Sequence, residues 1–349
     1  MSKDRMKPRH VDSMEGWVGY QRMRYACGKC GRGDYPVDQE LRISKESRMS
    51  QKKERQLARL SARMPYEEAK QVYEELTHQR AGRMTAHRLV QRLGTKLKLA
   101  DTAEPKKSTD RTSGKRHVTA DGTMVHIREE GWKELKVGAC YEAVGKDRRA
   151  EGIVYTATLG QRAQLGARLY RLVGELEMEE TGEMAFVSDG AEWLAEIQQY
   201  HFPLATAIID FYHATEYVWK AANGFYGKGT LKARQWAEAK MKQLKKADQS
   251  GLQRSFGKLK AKTEEQREVL KTVRRYFHNH GHKMDYPRYK KKGFHIGSGV
   301  AEGACKYVIQ ARFKRTGMRW SRQGAENLLQ LRLAHLNHCW DSVAACQLN

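Results

Sequence analysis

Three acidic residues stand where phosphoryl-transfer chemistry would need them. Asp121 lies inside the alternating run VTADGTMVHI, Asp189 closes the short apolar run MAFVSDG, and Glu302 follows two glycines in GSGVAEG. Cutting a phosphodiester bond requires an activated water or hydroxyl and a stabilised leaving oxygen. Two divalent cations roughly 4 Å apart can serve both ends of such an in-line displacement. Hard Mg2+ (or Mn2+) takes oxygen ligands, few of them from protein. Asp121, Asp189 and Glu302 are therefore the candidate catalytic residues and the candidate ligands of two metal ions. Gly122, next to the first of them, leaves room for a phosphate backbone to approach. An Asp-Gly at a strand end is by itself more often a turn, so the weight falls on the three together.

The chain around them is strongly basic. Its 349 residues carry 65 Lys and Arg against 41 Asp and Glu, a formal net charge of +24 spread along the whole length. Such an excess attracts a polyanion, with DNA, RNA and an anionic membrane surface as the candidates, and its spread along the chain favours nucleic acid. No stretch approaches the roughly 18 apolar residues that cross a bilayer. The N-terminus, MSKDRMKPRH, has no apolar signal core, and the six cysteines suggest no secreted disulfide framework. A reducing, nucleoid-associated cytoplasmic location is the expectation.

The elements that must position the carboxylates can be read from changes of period. Residues 1–20 are polar and aperiodic and read as a mobile tail. Residues 21–60 hold a cysteine knuckle, Cys27-x-x-Cys30. Residues 61–100 become helical, with Tyr66, Ala69, Val72, Tyr73 and Leu76 at three- and four-residue spacing. They read as a helix-turn-helix-like DNA-binding region. The charged stretch 101–117, broken by Pro105 and Gly114, reads as a linker. After it the period falls to two. Three strands are followed by a helix, a strand, a helix and a strand, and the last two strands are short apolar runs ending in Asp189 and Asp210. Residues 214–293 are helical and Lys-rich, and the final section opens a helix behind glycines. The fold class is therefore α/β. A ribonuclease H-like mixed sheet, strand order 3-2-1-4-5, is the hypothesis that would seat Asp121 and Asp189 on neighbouring strands. Its core would comprise 118–213 and 294–349, interrupted by the helical insertion.

The runs DGTMV, VSDGAEWLAEI, IIDFYHA and GSGVAEGACKYVIQARFKRTGMRWS resemble the bacterial insertion-sequence transposases of the ISKra type, which are similar in turn to the Mutator-like DDE transposases. The similarity covers about residue 20 to the end. It implies a ribonuclease H-like core with a helical insertion before the catalytic Glu, and metal-dependent cleavage and transfer of DNA strands at element ends. By motif match the catalytic set falls on Asp121, Asp189 and Glu302. Mutator-like enzymes also carry a Cys or Asp, two residues and a His after the second catalytic Asp, which Asp210 and His213 match. Asp210 is the rival for the second place, but strand five lies one strand farther from strand one. Asp210 and His213 then become a supporting or DNA-contacting pair, or a hydrogen-bonded tie from strand to helix.

Lys306, Lys314, Arg315 and Arg319 come soon after Glu302 and are candidate DNA-binding residues. Trp320 is either a stacking platform for an exposed base or a buried anchor. Glu326, lacking the preceding glycines, is an outside candidate for the third ligand. Cys27 and Cys30 are half of a structural zinc site, with no second ligand pair nearby. His280 and His282, in HNHGH, read as exposed loop histidines. Synapsis of two DNA ends implies at least a dimer in the active complex. The competing classes are a domesticated or inactive DNA-binding protein, and a ribonuclease H-like nuclease or resolvase.

Overall fold

The computed structural model describes residues 1–45, 47–97, 114–176 and 183–343. Two compact units emerge. The first comprises Met1–Lys106, Met124–Lys133 and Val308–Asn349, and the second Lys107–Thr123 and Glu134–Tyr307. Residues 308–343 thus cluster with the N-terminal helices rather than with the strands, contrary to the expectation that all of 294–349 joins the sheet. Residues 98–113, which hold most of the expected linker, lie outside the described residues.

The first unit opens with an antiparallel hairpin, β1 (Ser2–Ser13) and β2 (Gly16–Ala26). This corrects the reading of residues 1–20 as a mobile tail. Their stability comes from pairing that no local period reveals. Gly16 takes a left-handed φ of +99° at the turn. Asp12 ties the hairpin to the segment around residue 50, since its N–H donates to the Arg48 carbonyl and its carboxylate pairs with the buried Lys53 at 2.6 Å. A short strand β3 (Gly33–Asp34) and a turn of helix α1 (Pro36–Glu40) complete this end. The buried Asp38 there accepts from Arg9, Tyr20 and Arg22.

Three helices come next: α2 (Gln51–Arg63), α3 (Tyr66–Thr77) and α4 (Arg83–Lys96). Helix α2 begins within residues 21–60, the stretch expected as the cysteine knuckle region, and runs past its end. Ser50 caps it by accepting from Lys53 N, and Leu57, Ala58 and Ala62 form its buried stripe among Lys, Arg and Gln. A left-handed His78 ends α3. Helix α14 (Arg322–Leu336) packs on α2 and α4. Contact with α4 is close enough that a Cβ on Gly94 would lie 2.3 Å from the Asn327 carbonyl oxygen.

The second unit is built on a five-stranded mixed sheet. Its strands are β4 (Lys115–Ile127), β5 (Gly131–Val144), β6 (Arg149–Thr158), β7 (Met184–Ser188) and β8 (Thr206–Ile209), in the order β6-β5-β4-β7-β8. β6 is antiparallel to β5, whereas β4, β7 and β8 are mutually parallel. Residues 124–133, the turn end of the β4–β5 hairpin, belong to the first unit. Helix α5 (Arg162–Glu175) lies between β6 and β7, and α6 (Glu192–His201) between β7 and β8. The apolar runs of β7 and β8 are buried because helices cover them, as parallel strands require.

The insertion is helical throughout, as expected, with no strand among its described residues. It holds α7 (Phe211–Tyr226), α8 (Leu231–Lys245), α9 (Gln249–Gly257), α10 (Glu264–His280) and α11 (Tyr286–Lys291). Val218, Ala221, Leu252, Phe256, Val273 and Phe277 make one cluster with Val187, Ile208 and Ile209 of the sheet. The insertion is thereby packed against the strand ends rather than tethered beside them. Helix α12 (Gly299–Ala304) comes after it, then a π-helical turn Cys305–Gln310 and the short α13 (Ala311–Phe313). The division between the two units falls within that π turn.

Candidate active site

Register brings the first two carboxylates together. β4 and β7 pair in parallel from Arg116↔Met184 to Thr119↔Val187, a constant offset of 187 − 119 = 68 residues. The same offset, 189 − 121 = 68, separates Asp121 from Asp189, two residues beyond the last pair of the ladder, and the Asp189 charge is felt at Asp121. Neighbouring strands run about 4.8 Å apart. Thr119 anchors this edge, its Oγ1 donating to the Val187 carbonyl at 2.8 Å.

Each carboxylate is oriented by its own backbone. Asp121 Oδ1 accepts from Gly122 N at 2.7 Å, and Asp189 Oδ1 accepts from Ala191 N at 2.8 Å across Gly190, whose φ is +97°. Burial raises the Asp121 carboxyl above the ordinary carboxylate range. Its hydrogen bonds oppose that shift, while the charges of Asp189 and Glu134 add to it. Neither Asp121 nor Asp189 forms an ion pair among the described residues.

Glu302 reaches this region through its helix. Three residues on, Cys305 donates its thiol to Asp121 Oδ2 at 3.4 Å. Burial raises the Cys305 thiol, and Asp121, Glu134 and Glu302 raise it further, so the thiol stays protonated and donates. Residues three apart share a helix face, which sets Glu302 on the acidic side. Its carboxylate is exposed and rests 3.4 Å from Lys306. Among the described residues no three His, Cys, Asp or Glu side chains stand close enough together to hold a metal ion. The Asp pair is thus assembled, and Glu302 is adjacent but turned to a lysine.

Asp210 serves a different purpose. It is 6% exposed and caps α7, its Oδ1 accepting from Tyr212 N at 2.7 Å. Its Oδ2 accepts from both the N–H, at 3.0 Å, and the hydroxyl of Ser298. Ser298 is the residue before α12, so Asp210 clamps the loop that delivers Glu302. His213 instead pairs with Glu216 at 3.1 Å. Beside Asp189 it lines a cavity of about 440 Å³ with Tyr217, Arg275, Tyr276 and His280. Tyr276 stacks on Tyr217 at 3.7 Å and donates its hydroxyl to the Asp189 carbonyl at 3.2 Å. Burial lowers the His280 imidazole, so it is neutral at this cavity wall. His280 is half-buried at the end of α10, not an exposed loop histidine.

The basic candidates divide. Lys306 neighbours Glu302, and Lys314 and Arg319 are exposed. Arg315 is paired with Glu68 at 2.6 Å. Trp320 is 9% exposed, its indole N–H donating to the Phe313 carbonyl at 3.0 Å, so it is a buried anchor and offers no free face for base stacking. Glu326 pairs with Arg322 on α14 and belongs to the first unit, whereas Asp121 and Asp189 belong to the second. Cys27 and Cys30 sit in a tight turn closed by Gly31 N to Cys27 O at 2.9 Å, and no third ligand joins them among the described residues.

Glu134, Cys305, Ser298 and Tyr276 were not singled out by sequence. Glu134 carried no signal in the sequence, since only strand pairing brings it to the site. It lies on the strand next to Gly122, where a Cβ would come within 2.5 Å of its Oε1.

Among known proteins, the family described as "Uncharacterised protein family (UPF0236)" matches residues 2–343. Similar curated proteins are UPF0236 proteins of Caldanaerobacter subterraneus subsp. tengcongensis. One is 23% identical over 343 residues, covering 96% of this chain and 69% of the relative. Two others are 22% identical over 345 residues, covering 96% of this chain and 70% and 65% of their own lengths. The chain therefore spans about two thirds of these relatives. The first of them carries eleven locus designations under one protein name. Among the described residues no helix is long and apolar enough to cross a membrane.

Proposed function

We propose that this chain, which belongs to the uncharacterised protein family UPF0236, is a DNA transposase of the DDE type. The observation that carries the reading is Asp121, midway along β4, and Asp189, just past the end of the parallel strand β7, at the same 68-residue offset as the β4–β7 ladder, with the Glu302 helix hydrogen-bonded to Asp121 through Cys305. The reading takes the sheet as ribonuclease H-like, supported by the order β6-β5-β4-β7-β8, with β5 and β6 antiparallel and β4, β7 and β8 parallel. A relative with eleven locus designations under one name is what an element that copies itself through a genome would leave.

Asp121 and Asp189 are donors of the type divalent ions take, but with Glu302 resting on Lys306 the three carboxylates do not form a metal-holding group among the described residues. Two carboxylates with no counter-cation among the described residues repel one another, and Asp121 is desolvated as well. Oxygen donors of this kind match Mg2+ or Mn2+. Asp121 and Asp189 would hold the ions, with Glu302 as the third donor. When bound, such ions acidify a water or hydroxyl and stabilise the leaving oxygen.

The rest is done by the chain. Gly122 and Gly190 leave room for the Glu134 and His280 side chains to pack beside the two carboxylates. The Cys305 thiol fixes the orientation of the Asp121 carboxylate. Asp210 fixes the loop into α12 through Ser298. The surplus of positive charge draws in the DNA. The working complex contains at least two copies of the chain, because two element ends must be joined.

The test is cleavage and strand transfer on DNA carrying the element ends, with Mg2+. Wild type should cut and join, while Asp121→Ala, Asp189→Ala and Glu302→Ala each lose cleavage by a factor of about 1000 or more and still bind DNA. An active Asp189→Ala variant would remove the carboxylate pair from the mechanism. Cleavage without joined products would make the protein a nuclease or resolvase instead.

A further inference from the structure

The first unit contains a second basic site, separate from the acidic pair. A groove of about 800 Å³ is lined by Arg83 and His87 of α4, His126 and Arg128 at the end of β4, Arg312 of α13, and Arg319 before α14. Four arginines face it. Its one acidic residue, Glu67, is already paired with Lys70 at 3.6 Å. The side chains of Arg83, Arg128 and Arg319 are exposed and make no ion pair or hydrogen bond among the described residues.

The floor of the groove is rigid and incompletely satisfied. Arg312 is 0% exposed, and its Nε donates to the Ser61 carbonyl at 3.0 Å. Its guanidinium sits 5.0 Å from the Tyr66 ring centroid and 5.2 Å from that of Trp320. Held between two aromatic rings, it keeps one fork nitrogen, Nη2, buried near the Tyr66 hydroxyl but in hydrogen-bond geometry with no acceptor. Nδ1 of His87 and Nδ1 of His126 are likewise buried and unpartnered. A buried polar atom without a partner is rare enough to need a cause, and three nitrogens on the lining of one groove share one. Each can donate, and the four arginines set the sign of the acceptor.

We propose that this groove binds the phosphodiester backbone of a nucleic acid, with Arg312 as its fixed base and Arg83, Arg128 and Arg319 along its rim. A planar guanidinium is the side chain best matched to phosphate oxygens. The volume exceeds what a single phosphate ion would fill, and an open groove suits a continuous strand. Such contacts position a backbone and read no sequence. The site involves neither Asp121 nor Asp189 and stands independently of the catalytic reading.

The test uses the full chain in EDTA, so that cleavage plays no part. Binding of a short fluorescein-labelled DNA duplex is followed by anisotropy over a salt series, with inorganic phosphate tested separately at constant ionic strength. The double variant Arg83→Gln/Arg128→Gln alters only exposed side chains, which protects the fold. It should lose about tenfold in affinity and shed about two from the slope of log K against log salt. Lys271→Gln, on the exposed face of α10, should change neither. Unaltered DNA affinity and slope in the double variant would overturn the proposal. So would phosphate stabilisation that the double variant abolishes while DNA binding stays unchanged, since the groove would then be a site for free phosphate. A chain inactive in cleavage that passes this test sinks the catalytic reading alone.

Discussion

Acid should weaken the second unit through one imidazole. His117 of β4 is fully buried. Its Nδ1 donates to the Lys115 carbonyl at 2.8 Å, and its Nε2 accepts from His295 N at 2.9 Å. The ring stacks on Tyr141 at 4.9 Å and meets Phe294 edge-on. A second proton would set an N–H against the His295 N–H inside an apolar cage. Burial, with the nearby His295 ring assisting, lowers this histidine to about 3. In the unfolded chain it titrates near 6.5. The folded value is the lower one, so the neutral ring's contribution is complete above about pH 6.5 and is lost as pH falls toward about 3. At pH 5 the unfolded state gains about 2 kcal/mol by protonation, and at pH 4 about 3 kcal/mol. The pH 5 figure barely depends on the folded value, because any value below about 4 leaves the native ring neutral there.

The measurement is a cycle of urea unfolding free energies, wild type and His117→Gln, at about pH 7.5 and about pH 5. Glutamine removes the titration, and the difference of differences cancels the other histidines. Wild type should lose about 2 kcal/mol more than the variant on acidification. Equal losses, or an imidazole titrating near its ordinary value in NMR, would refute the reasoning. The consequence reaches the site, because His295 stands three residues before Ser298 and seven before Glu302.

Two further outcomes concern packing and the clamp. Gly94→Ala should destabilise the first unit by about 2 kcal/mol despite alanine's better helix propensity, because its methyl meets the Asn327 backbone, and the Tm of that transition checks it. Asp210→Ala and Ser298→Ala should each slow cleavage about tenfold to a hundredfold with DNA affinity unchanged, since both act through the position of α12. The double variant should be little worse than either single one, and additive losses would show that the two do not act as a unit.

Local pattern carried far in some places and failed in others. The short apolar runs ending at Asp189 and Asp210 marked buried parallel strands with acidic ends, because burial on both faces leaves few other compositions. The hairpin of β1 and β2 is not legible locally because strand pairing is a contact between segments, and polar strands, one of them holding Pro8, show no clean alternation. Helix α2 was hidden by its Lys- and Arg-rich exposed face. His280 lies in a segment that looks like a loop, and only the packing of α10 beside Gly190 half-buries it.

For the acidic pair, the chain itself supplied the residue types, the glycines beside them and the spacing of 68, which equals the β4–β7 register. It also supplied the charge that implies a polyanion. Tertiary structure decided what those residues touch: Cys305 on Asp121, Ser298 on Asp210, Glu302 resting on Lys306, and Trp320 closed over Arg312 rather than open to a base. The reason is range. Periodicity and composition express each residue's preference for its neighbours in sequence and for water, whereas hydrogen-bond partners and burial are set by segments that meet only after the chain has folded.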